Sequence, residues 1–185
     1  MRAFLDFEAS SLGRHGFPIE VAWVFENGAE ETHLIRPAPG WTDWDPAAQS
    51  LHGISREKLG IHGVAVETVA RRLVDQLGGH NVFASAPSWD GKWLSLLLRS
   101  AGLPRRALRL VDSDGALLEL ASAILAPSLS SSDIPRATRQ ILAEASARFA
   151  GRSPVHRALP DARTERERWL AVSELAHAFR LEAEL

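Results

Sequence analysis

The sequence predicts an α/β fold with a mixed five-stranded sheet, in which three antiparallel strands are followed by parallel ones and helices flank both. Three observations carry this. Runs with period-two alternation fill much of residues 3–36. A helical stripe follows at Val66, Val69, Ala70, Leu73, Val74 and Leu77. Short apolar stretches at 81–84 and 107–111 then alternate with helical segments, the pattern of parallel strands joined by crossovers.

Taken in order, Ala3 to Ala9 reads as the first strand, and Ser10 to Pro18, with Gly13 and Gly16, as a loop. Ile19 to Phe25 and Glu31 to Arg36 read as the next two strands. The Asn27-Gly28 between them is a strong hairpin signal. Residues 37–63 break into Pro, Gly, Trp and Asp, with one short helical turn expected over Pro46 to Leu51; connections this long are often functional. The helix over 66–77 is closed by Gly78-Gly79. Asn81 to Ala84 is short and apolar enough for a buried strand, and Ser88 is expected to cap a helix running to about Ala101. Ala107 to Val111 is the fifth strand. Helices are expected over 114–126, 133–149 and from about Arg157 to Leu185. The strands on either side of the Val66 helix should lie parallel, with a ligand crevice beyond their C-termini.

Composition narrows the function. With 185 residues, 45% apolar and 24% charged, the chain is ordinary globular material, expected to form one domain over 1–185. Zero cysteines exclude disulfides and thiolate metal sites, so a metal here would take carboxylate, histidine, carbonyl or water ligands. A net charge of −2 argues against coating duplex nucleic acid by bulk electrostatics, while leaving local phosphate contacts open. Arginine supplies nearly all the positive charge, Lys58 and Lys92 being the only lysines. No apolar run is long enough to span a membrane and no signal-peptide pattern opens the chain, so a cytoplasmic protein is expected.

The residues with chemistry are acids. Period two puts Asp6 and Glu8 on one face of the first strand and Leu5 and Phe7 on the other. Paired carboxylates repel, so this face needs a proton, a cation or open water; hard oxygen ligands suit Mg²⁺ or Mn²⁺. Asp90 shares a helix face with Leu94, Leu97 and Ala101, which turns it toward the core; an acid in a first turn also suits the helix dipole. Asp161 lies beside Pro160 at the start of the last helix, on the side of Trp169, Val172, Ala176 and Phe179. Glu165 and Arg168 share that side, so these first turns should face a polar cleft. His156, just upstream, is placed to take a proton from water.

In order, these are Asp-x-Glu on the first strand, Asp on a middle helix, and His-x-x-x-x-Asp at the last helix. The arrangement resembles the DEDDh 3′-to-5′ exonucleases, the superfamily of proofreading exonucleases, ribonuclease T and oligoribonuclease, with a ribonuclease H-like fold. His156-x-Ala158-x-x-Asp161-Ala162 is the most specific match, and Leu51-His52-Gly53-Ile54-Ser55 looks like the segment that packs against the terminal nucleotide. The resemblance implies that Asp6, Glu8, Asp90 and Asp161 hold two divalent cations, Mg²⁺ or Mn²⁺, with His156 as general base. The implied reaction cuts the terminal phosphodiester at a single-stranded 3′ end of DNA or RNA and releases nucleoside 5′-monophosphates. Ser11, Leu12, His52 and Ile54 are then expected at the terminal base and ribose. A homodimer is compatible with the resemblance. Two departures stand out: Ala86 and Trp89 occupy positions usually held by Asn and Phe, and Ala9 one usually held by Thr. They leave the alternative of a catalytically weakened nucleic-acid-binding or scaffold protein on the same fold.

Overall fold

The computed structural model describes residues 1–152 and 155–184. Its sheet has five strands, β1 (Arg2–Ala9), β2 (Pro18–Phe25), β3 (Glu30–Leu34), β4 (Asn81–Ala84) and β5 (Leu110–Asp112), in the order β3-β2-β1-β4-β5. β1 pairs antiparallel with β2 and parallel with β4; β2–β3 is antiparallel and β4–β5 parallel. The mixed architecture expected from the alternation is therefore present. Helices α1 (Pro46–His52), α2 (Arg56–His62) and α3 (Val66–Leu77) lie in the crossover from β3 to β4, α4 (Pro87–Ser100) in that from β4 to β5, and α5 (Ser113–Leu125), α6 (Ile134–Ala147) and α7 (Ala158–Ala183) follow β5.

Alternation along β1 sets the layers. Ala3, Leu5 and Phe7 enter one cluster with Val69, Leu73 and Leu77 of α3 and Trp93, Leu94 and Leu97 of α4. Phe4 faces the other way, against Phe83 of β4 and Trp169 of α7, in a cluster that includes Leu117, Ile141 and Val172. Asp6 and Glu8 share the parity of Phe4 and so emerge beside α7.

Differences from the expectations have local causes. α2 falls in the stretch read as irregular: it is seven residues long, buries only Leu59, and forms because the Ser55 side chain accepts from Lys58 N. α4 starts at Pro87, not after Ser88; proline at a helix start needs no amide partner, and Ala86 precedes it with no side-chain cap. β5 sits three residues later than expected and gives way to α5 through Asp112, whose side chain accepts from Gly115 N. The expected end of the last helix, Leu185, lies outside the described residues.

Candidate active site

Three elements meet at the C-terminal end of β1. A bulge between Glu8 and Ala9 shifts its register against β2 just before the last pair, Ala9 with Pro18, and the chain then leaves as a loop. That loop is tied down: Ser10 Oγ accepts from Phe17 N, Ser11 Oγ donates to Asp43, and the Lys92 ammonium donates to Gly13 O at 2.7 Å. Between this loop, α1 and the start of α4 opens a cavity of about 340 Å³. Asp6, Glu8, Asp90 and His156 line it together with Ser11, Leu12, His52, Leu51, Trp89 and Trp93.

Asp6, Glu8 and Asp161 each offer a carboxylate oxygen, all within 4.8 Å of one another. Their separation in sequence is closed by α7, whose first turn lies over the end of β1 and β2. Asp90 stands beside this trio as the strongest charged neighbour of Asp6, and is 3% exposed, with Oδ2 buried and unpartnered. The electrostatics follow from burial. Desolvation, then the charges of Asp90, Glu8 and Asp161, push Asp6 well above the usual carboxylate range. Desolvation and Asp161 raise Glu8 to about 7, against a partial opposing effect of Arg157. Asp90 is raised to about 7 mainly by desolvation, although the peptide groups of Ala86 and Phe7 favour its ionised form. Asp161 is raised by desolvation and lowered by nearby His156. Carboxyls so crowded must hold protons near neutral pH or share a cation, and the buried, unpartnered Oδ2 of Asp90 is a hard oxygen donor of the kind a divalent cation takes.

His156 takes a left-handed backbone, φ 49°, uncommon for any residue but glycine. It lines the same cavity as Asp6, Glu8 and Asp90, and its charge reaches Asp161. Of the residues expected at the substrate end, Ser11, Leu12 and His52 line this cavity too. Leu12 is 65% exposed at the mouth. His52 is buried, its Nδ1 accepts from Ile54 N at 3.0 Å, and its Nε2 has no partner. That bond leaves the proton on Nε2, and burial lowers the pKa, so His52 is a neutral donor. Ile54 is fully buried with Phe17, Ile19 and Leu59 and is not among the cavity's lining residues.

The chain matches solved structures of exonuclease I over between 68% and 99% of its length. The zinc-bound complex of Escherichia coli exonuclease I with single-stranded DNA aligns with 99% of this chain at a TM-score of 0.65 and 15% identity. The fold is shared with exonuclease I. The same enzyme in complex with a dT13 oligonucleotide covers 89% of the chain at a TM-score of 0.62 and 17% identity. A moderately thermophilic exonuclease I from Methylocaldum szegediense covers 68% at 0.53 and 17%. The chain spans 41%, 39% and 30% of those three proteins. No protein-family model and no curated protein sequence matches it.

Several residues at the site went unassigned by the spacing of acids alone. Glu165, one turn after Asp161, has a buried, unpartnered Oε2 and adds its charge to Asp6 and Asp90. Its other oxygen accepts from Arg168, which also donates to Asp114. Trp89 and Trp93 stack 6.0 Å apart with Lys92 over both rings, forming one apolar wall. Trp41 and Trp44 pack on Phe17 instead, outside the cavity. Glu20 was readable as the one charged residue in an otherwise apolar strand, but its partner, Arg157, is 137 residues away.

Proposed function

We propose that this protein is a divalent-metal-dependent 3′-to-5′ exonuclease that hydrolyses the terminal phosphodiester of single-stranded DNA or RNA. The observation that carries the reading is the clustering of Asp6, Glu8 and Asp161 oxygens within 4.8 Å, with Asp6, Glu8, Asp90 and His156 lining one cavity. The fold shared with exonuclease I, solved with single-stranded DNA and with zinc, supports it.

Asp6, Glu8, Asp90 and Asp161 would hold Mg²⁺ or Mn²⁺, which supply charge stabilisation at the phosphoryl oxygens when bound. His156 takes one proton from the attacking water. The water oxygen bonds to phosphorus, the bond from phosphorus to the 3′ oxygen of the penultimate nucleotide breaks, and that oxygen takes a proton from solvent to end as a hydroxyl, while His156 returns its proton to solvent. The product is a nucleoside 5′-monophosphate. The His52 Nε2–H is the donor available to the terminal sugar or base, while Leu12, Leu51 and the Trp89–Trp93 wall supply the apolar surface on which a base packs. Trp89 in place of the family's Phe keeps an aromatic face at this position.

The test is digestion of short DNA and RNA strands labelled at either end. Mononucleotides released from the 3′ end with Mg²⁺ or Mn²⁺, and none with chelator, are expected. Failure to degrade either strand with any divalent ion, despite binding it, would establish the scaffold alternative.

A further inference from the structure

We infer that Glu20 is the positioning residue for His156, acting through the start of α7; this rests on the proposed role of His156. The first amides of a helix need partners from outside it. Arg157, the residue before α7, makes no side-chain cap. The partner comes from β2 instead: Glu20 Oε2 accepts from Ala158 N at 3.0 Å. The same carboxylate takes both forks of the Arg157 guanidinium, Nε at 2.9 Å and Nη2 at 2.6 Å. Glu20 is 2% exposed, so its carboxylate is shielded from water and the bond to Ala158 N is buried, while the Arg157 guanidinium keeps one side to solvent.

Two consecutive residues, 157 and 158, are thereby fixed to a strand 137 and 138 positions earlier. His156 comes immediately before them in a backbone region that persists only where the surroundings hold it. The clamp is also electrically required. Glu20 lies directly opposite Glu8 across the β1–β2 ladder, and like charges in that relation repel. Arg157 answers both, since its charge also reaches Glu8. One ion pair therefore holds the proposed base in place and quietens the charge behind a proposed ligand.

The experiment compares Glu20→Gln and Arg157→Gln in the wild-type and His156→Ala backgrounds, with saturating single strands, Mn²⁺ calorimetry and thermal melts. Arg157→Gln leaves the Glu20 carboxylate buried without its cation, so Arg157→Lys, which keeps the charge and loses the bidentate fork, is added as the variant that should fold if the Gln variants do not. We expect kcat to fall about 10- to 100-fold in the wild-type background, as for residues that orient others. KM and Mn²⁺ affinity should stay within about twofold. Neither change should slow His156→Ala further. Equal losses in both backgrounds, or no loss in folded variants, would overturn the role. The imidazole NMR signals of His156 read the same point without turnover. Unmoved signals in both variants refute the clamp, whereas moved signals in a protein that digests nothing would refute only the exonuclease reading.

Discussion

Asp90→Asn tests whether the site was built for cations or whether this acid serves its helix. Asp90 has a folded pKa of about 7 against 3.8 ordinarily, a gap of about 3 units or roughly 4 kcal/mol at about 1.4 kcal/mol per unit. Its pKa is raised on folding, so the stability associated with it is complete below pH 3.8 and is lost as the pH rises through 7. Asparagine keeps the shape without the charge. Because buried sites respond as if moderately polarisable, and the amide still needs hydrogen bonds, about half of that figure, ~2 kcal/mol, is the expected gain. In chelator at pH 8 the variant should therefore melt about 4–8 °C above the wild type, and the advantage should shrink toward pH 4. Adding Mn²⁺ should reverse the order, since only the wild type then gains a bound cation. A variant less stable than the wild type in chelator at pH 8, or a gain independent of pH, would refute this and return Asp90 to the role of helix-dipole partner.

Other outcomes are expected along the same lines. Asp161→Ala and Asp6→Ala should fold, by circular dichroism, and lose digestion of labelled single strands; full activity in either would remove the metal assignment. His156→Ala should lower kcat by about 10²- to 10⁴-fold with Mn²⁺ affinity intact by calorimetry. His52→Asn keeps an acceptor for Ile54 N and removes the Nε2–H donor, so KM should rise by about 10-fold, the cost of one hydrogen bond left unmade in a buried site. Mg²⁺ should raise the melting temperature more at pH 8 than at pH 5, because below the raised pKa values of Glu8 and Asp90 protons compete for the same oxygens.

Legibility in the sequence followed the range of the forces involved. The helix over 66–77 was bounded correctly because its stripe and its Gly78-Gly79 ending are local facts. The β2–β3 hairpin was likewise announced by Asn27-Gly28, where Gly28 takes φ 92°. The seven-residue α2 was not, since a two-turn helix with one buried residue leaves no periodicity to count. Ile54 shows the same limit from another side: its segment was recognisable, but its packing with Phe17, Ile19 and Leu59 depends on residues brought from other elements.

By itself the sequence determined which carboxylates share a face, where the strands and long helices lie, and which residue types were available for metal and proton chemistry. Only the tertiary structure decided that Asp6, Glu8 and Asp161 come within reach of one ion, that Glu165 joins their field, and that Glu20 seizes the start of α7. Periodicity records a side chain's direction relative to its own strand or helix. Distances between elements arise from how the sheet and α7 pack, and that depends on the whole core at once.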